Sequence, residues 1–166
     1  MSDNLPCPQP LVVDTRNADI DALLQREWLL TNRRGGYASG TVLGCNTRRY
    51  HGLLVASLLP PVERVVALAN VLEKVTRADR AVELACFEFP GGFHPRGDAF
   101  LESFQRHLGV RFLYRIEDLT VTKSIYLDDE QDLVLICYDF SGPKQTLTFS
   151  LLPLVALRDF HGLQSH

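Results

Sequence analysis

The stretch EWLLTNRRGGYASGTVLGCNTRRYHGLL, residues 27–54, decides how the chain is read. Three polar groups crowd into it. Thr31-Asn32-Arg33-Arg34 runs into Gly35-Gly36-Tyr37, Ser39-Gly40-Thr41 follows, and Asn46-Thr47-Arg48-Arg49-Tyr50-His51-Gly52 closes the set. Short apolar runs flank them, Trp28-Leu29-Leu30 before and Leu53-Leu54-Val55-Ala56 after. Runs this short, bounded by turn chemistry, specify strands joined by loops. The glycines permit tight turns and close approach of backbone. The loops have two readings. They are connectors, with paired arginines serving as a solvated edge that blocks strand pairing. Alternatively they carry function, as polar loops on a rigid scaffold often do.

Downstream the pattern stays β. Residues 50–58 form an apolar run stopped by Pro60-Pro61, which predicts a strand and its end. Residues 64–75 are rich in valine and leucine, and periodicity leaves them as a strand pair or a helix. Residues 82–89 read as one strand closed by Pro90-Gly91-Gly92, while residues 100–108 are ambiguous. In residues 111–116, Phe112, Tyr114 and Ile116 share one face. Glu117-Asp118 makes a turn into an alternating strand, Leu119 to Leu127 in sense, where Lys123 interrupts an otherwise apolar face. Residues 128–132 make the next turn, and the charge run Asp128-Asp129-Glu130 reads as solvated. Residues 132–140 are nearly apolar throughout, which predicts a central strand; residues 146–151 alternate cleanly after a turn at 141–144. Many short strands with turns between them predict an all-β, antiparallel sandwich.

Upstream, residues 1–10 carry Pro6, Pro8 and Pro10 and read as a loose lead-in. Ile20, Leu23 and Leu24 fall at helical spacing within residues 18–26, so a short helix capped by Asn17 or Thr15 is expected. The organisation is then a lead-in with a helix over residues 1–26 and a sandwich over residues 27–166.

At 166 residues the chain suits one domain with a sizeable core. Apolar residues make up 46% and charged residues 22%, as in a globular protein. The formal net charge of −3 gives no basic excess of the kind nucleic acid attracts. Cys7, Cys45, Cys86 and Cys137 are scattered, with no paired metal-ligand spacing, so no zinc site is expected and the thiols read as reduced core residues. No metal or organic cofactor is suggested. No apolar run has the length of a membrane span, and the first residues do not follow signal-peptide chemistry. The expected location is cytoplasmic.

Glu27-Trp28-Leu29, Asn32, Gly35-Gly36-Tyr37-Ala38-Ser39-Gly40 and residues 46–56 together resemble the start of the N-terminal domain of bacterial and archaeal glycogen debranching enzymes of the amylo-alpha-1,6-glucosidase type. Residues 60–64 fit the same pattern, as do Pro153-Leu154-Val155 and Arg158-Asp159-Phe160-His161, so the likeness spans nearly everything from Glu27 onward. Arg33-Arg34 departs from it, since the family more often has smaller or less charged residues there. The resemblance implies a supersandwich-like N-terminal domain preceding an (α/α)-barrel catalytic domain. That barrel is expected to lie outside this chain, which reads as a piece of a longer enzyme, inactive alone. Its implied partners are the catalytic domain of the same polypeptide and an alpha-glucan, glycogen or a starch-like chain, with no nucleic acid and no membrane.

Hydrolysis of a glycosidic bond calls for two carboxyl groups flanking it. No catalytic residue is assigned here, because the resemblance places the acids in the barrel. Glu27 and Asp159 read as ion-pair partners for Arg48, Arg49 or Arg158. Sugars are read by planar polar side chains and by aromatic faces. Asn32, Tyr37, Arg48, Arg49, Tyr50 and His51 supply those types, and Arg158 and Asp159 form a second cluster. All eight are candidate substrate-binding or domain-interface residues. The alternative is that Arg48 and Arg49 anchor a strand edge and Tyr50 fills the core. His51 has no Ser or Cys partner at triad spacing. Two other functions compete with the debranching-enzyme reading: a stand-alone carbohydrate-binding sandwich, which needs an exposed aromatic platform, and a structural or dimerising domain. Trp28 sits in an apolar context and reads as core.

Overall fold

The computed structural model describes residues 9–162. The expectations for most of the proline-rich lead-in, with Cys7, and for the last four residues lie outside that range.

Strand β1 (Leu11–Asp14) was not anticipated from the sequence. Helix α1 (Ile20–Leu24) follows, shorter than the spacing suggested. Its cap is Asp19, whose carboxylate accepts from the Ala22 N–H at 3.3 Å. Neither expected cap serves. Asn17 occupies a left-handed turn at φ 58°, and the Thr15 hydroxyl donates instead to the Leu101 carbonyl at 2.7 Å. The remaining strands are β2 (Glu27–Thr31), β3 (Tyr37–Thr41), β4 (Gly52–Leu59), β5 (Val62–Arg77), β6 (Arg80–Glu83), β7 (Cys86–Phe89) and β8 (Gly92–Arg96). After a 3-10 turn (Gly97–Phe100) come β9 (Leu101–Arg106), β10 (Val110–Ile116), β11 (Leu119–Leu127), β12 (Val134–Ser141) and β13 (Thr148–Asp159).

These strands form the expected antiparallel sandwich. One sheet runs β1-β9-β10-β11-β12. The other runs β13-β5-β4-β3-β2, with β6 on β5, and β7-β8 is a separate ribbon. The core lies between the sheets. Trp28 and Leu30 point into it from β2, and Phe104, Phe112, Tyr114 and Ile125 meet them from the opposite sheet. Trp28 and Phe112 pack edge to face at 6.4 Å between centroids, and Phe104 and Phe112 at 5.1 Å, the geometry aromatic quadrupoles favour. The Trp28 indole N–H donates to the Thr41 carbonyl at 3.0 Å, so the buried ring leaves no unpaired donor.

Lys123, the odd residue on an apolar face, is buried in that core. Its ammonium pairs with Glu73 on β5 at 2.5 Å, and Tyr138 on β12 donates to the same carboxylate at 2.7 Å. The pair joins the two sheets through the interior, where each charge depends on the other.

Three strand expectations are corrected. Residues 64–75 are neither a helix nor a strand pair but the middle of β5, which pairs with β4 over its first half, with β6 only from Lys74 to Arg77, and with β13 along most of its length. A register shift in the middle moves the buried set from Val66 to Val71, Glu73 and Val75. That slip erased a clean period of two. Residues 82–89 are two strands, because the chain leaves β5 at the buried Leu84 and Ala85 to start the β7-β8 ribbon. The strand expected over residues 132–140 is β12, which begins at Val134 and is an edge strand rather than a central one. Its outward side is also apolar: Leu135, opposite the exposed Tyr126 on the outer face, is 57% exposed.

The described residues include no helix long and apolar enough to cross a membrane.

Candidate functional site

The first polar loop is held from beneath. The buried Asn32 amide oxygen accepts from the Gly36 N–H at 2.8 Å and the Arg34 N–H at 3.1 Å, while its NH2 donates to the Gln131 carbonyl at 3.0 Å. The side chain thereby closes the 32–36 turn, where Gly35 takes φ +86°, and ties it to the 128–132 turn from the other sheet. Arg34 pairs with Asp132 at 3.2 Å and Arg33 with Asp129 at 2.7 Å. Asp132 also accepts from the Ser57 N–H at 3.3 Å. The acidic turn that read as merely solvated is the support of this loop.

In the second loop, Arg48 pairs with Glu27 across to β2. His51 is buried, and its Nδ1 accepts from the Thr47 N–H at 3.2 Å. The ring proton therefore sits on Nε2, 3.6 Å from the Glu27 carboxylate. Burial pushes His51 below the ordinary histidine value; Glu27 opposes the shift and Arg48 adds to it. Tyr50 does not fill the core: it is 38% exposed. Its carbonyl accepts from the Tyr37 hydroxyl at 2.9 Å and the Ser39 hydroxyl at 3.3 Å. Burial raises Tyr37, against the pull of the Arg64 and Arg158 charges.

The cluster near the chain end folds back onto this second loop. Arg158 donates to the Arg49 carbonyl, and to the Gly162 carbonyl at 2.9 Å. Arg49 donates to the His161 carbonyl at 3.1 Å. The Tyr50 hydroxyl lies 3.3 Å from His161 Nδ1, and the Tyr50 ring sits 5.5 Å from Phe160. The Asp159 carboxylate accepts from the His161 N–H at 2.8 Å. Arg64 lies over Phe160 at 5.6 Å and donates to the Gly35 carbonyl at 2.6 Å, linking the cluster to the first loop.

The result is one groove of about 500 Å³ on the outer face of the six-stranded sheet. Alternation along β2 and β3 explains its floor: Trp28, Leu30 and Ala38 point inward, so Leu29 and Tyr37 point out. Leu29, Tyr37, Arg48, Tyr50, His51 and Arg64 line it. Of the candidate residues, Tyr37, Arg48, Tyr50 and His51 face the groove directly. Arg49, Arg158 and Asp159 lie behind its rim, and Asn32 lies under its turn. Sequence reasoning passed over Leu29, Arg64 and Phe160. Leu29 sits within the apolar run Trp28-Leu29-Leu30, where its place between two inward residues marks it as outward.

The lining combines guanidinium and hydroxyl donors with an apolar floor. Glu27 is the one carboxylate among the lining residues, and Arg48 holds it. Glycosidic cleavage requires a second carboxyl group across the bond. No group of three His, Cys, Asp or Glu side chains among the described residues is placed to hold a metal ion.

A family model described as glycogen debranching enzyme N terminal matches residues 26–166. No curated protein and no solved structure matches the chain.

Proposed function

The chain belongs to the glycogen debranching enzyme N-terminal family, and from that premise we propose that it is the non-catalytic N-terminal domain of a cytoplasmic amylo-alpha-1,6-glucosidase. On this reading the enzyme hydrolyses alpha-1,6 branch points in glycogen or a related alpha-glucan. The outer face of the six-stranded sheet packs toward the (α/α)-barrel catalytic domain of the same polypeptide. Its groove forms one wall of the cleft that the glucan enters, with the barrel supplying both catalytic carboxyls.

One observation carries this reading. Motif residues more than a hundred positions apart, Arg49-Tyr50 and Arg158-Phe160-His161, are brought together at one groove on an outer sheet face. The sheet order sets these segments side by side, and their rings and guanidiniums meet at the groove's rim rather than in the core. Aromatic faces and guanidinium donors beside an apolar floor suit a sugar ring, with its apolar faces and hydroxyl rim.

In the enzyme carrying this domain, Arg48→Ala is expected to lower kcat/KM on a branched glucan about tenfold, or ~1.4 kcal/mol of transition-state stabilisation. The Arg48–Glu27 pair is largely solvent-exposed, so the melting temperature should move little. Wild-type kinetics with unchanged melting would remove the groove from the cleft. A second reading has its own support: the exposed Tyr50 ring offers the aromatic platform that a stand-alone carbohydrate-binding sandwich requires. In that case the isolated chain holds a linear glucan as tightly as the whole protein does.

A further inference from the structure

The charge around the groove goes beyond what a neutral sugar requires. Two guanidiniums line it, on Arg48 and Arg64, against one carboxylate, Glu27, and behind the rim Arg49 and Arg158 stand with Asp159. Arg48 uses Glu27. The Asp159 carboxylate turns to a backbone N–H rather than to an arginine. Arg49, Arg64 and Arg158 are held by main-chain carbonyl oxygens and aromatic rings, which fix a guanidinium without neutralising it. His51 adds no compensating negative charge. The positive charge is local, because the chain as a whole carries −3. A half-enclosed groove with apolar walls focuses such a field on its contents.

Arginine held in a fixed orientation suits oxyanions, phosphate above all, since its planar fork matches two oxygens at once. The same groove offers Leu29, Tyr37 and Tyr50 to a sugar ring. We infer that the groove takes a phosphorylated glucosyl unit, with the ring over the apolar floor and the phosphate toward the terminal nitrogens of Arg64, whose Nε alone is held by the Gly35 carbonyl. This rests on the reading of the groove as a glucan site and adds the charge of its ligand. A phosphate ester on a glucan chain and a free glucose phosphate share the required chemistry.

The test is calorimetric titration of this chain with maltotetraose, maltotetraose carrying a 6-phosphate, glucose 6-phosphate and inorganic phosphate. At low salt the phosphorylated tetraose should bind at least tenfold more tightly than maltotetraose. About 1 M salt, where the screening length is about 3 Å, should remove most of that advantage and leave maltotetraose unchanged. Arg64→Gln should reduce the phosphate advantage severalfold, and Arg158→Gln, behind the rim, should reduce it by less. The salt series on the wild-type chain gives the answer even if a variant folds poorly. Glucose 6-phosphate binding as tightly as the phosphorylated tetraose identifies the free sugar phosphate as the ligand; weaker binding identifies the glucan ester. Equal affinity for the two tetraoses overturns the inference while leaving the glucan reading intact. Inorganic phosphate matching the phosphorylated tetraose overturns it as well, because the sugar then contributes nothing. No binding by any probe overturns both.

Discussion

At the residue scale, two buried polar sites make the sharpest predictions. Lys123 and Glu73 are 5% and 1% exposed, and each neutralises the other. Lys123→Met strands the Glu73 carboxylate and should cost about 3–5 kcal/mol in urea unfolding. Combining it with Glu73→Leu should recover most of that loss; a single variant costing less than about 1 kcal/mol would mean that water reaches the site. His51 works through pH. Its folded form favours the neutral ring, so the unfolded chain takes up more protons as pH falls. Its contribution is complete above the ordinary histidine value of about 6.5 and is lost as pH drops through the lowered folded value. His51→Gln should therefore flatten the decline of the urea midpoint between about pH 7 and pH 5; an unchanged decline would place the titration elsewhere. Some of this was visible in advance. Lys123 announced itself by breaking an alternating face. Glu73 did not, because the register slip in β5 hid which residues of that strand face inward.

At the element scale, the connection from β6 to β9 depends on Gly97. A Cβ there would lie 1.9 Å from the Leu84 carbonyl oxygen, at a spot where the Gly97 N–H also donates to Ala85 at 2.9 Å. Gly97→Ala should lower stability by more than about 3 kcal/mol or prevent folding, read by thermal unfolding; a loss below about 1 kcal/mol would show that this crossing is looser than the backbone contact implies. On the open side the reverse holds. Leu152 and Val155 on β13 are largely exposed, so changing either to lysine should shift stability by no more than about 0.5 kcal/mol. Strand existence was legible wherever a run was short and bounded by turn residues, as for β2, β10 and β11. Position within a sheet was not, because an apolar run on both faces describes a central strand and an open edge equally well. β12 is the case where that ambiguity misled.

At the scale of the whole molecule, the family pattern was legible in the Glu27 to Leu54 stretch, and the sandwich in its succession of turns. The groove was legible only in its ingredients. That residues 46–52 and 158–161 share one rim follows from β13 pairing with β5, and β5 with β4, an order no local pattern encodes. The same pairing gives Arg64 its place between the first loop and Phe160. The supports came from a segment that looked like a solvated turn, the 128–132 stretch under Asn32. The account stands on the claim that this outer face meets the glucan. The measurement that tests it most directly is an amide NMR map of the chain titrated with maltotetraose. Shifts concentrated at Leu29, Tyr37, Arg48, Tyr50 and Arg64, and lost in Tyr50→Ala, are the predicted result. No shifts at millimolar ligand, or shifts confined to the opposite sheet, would contradict it.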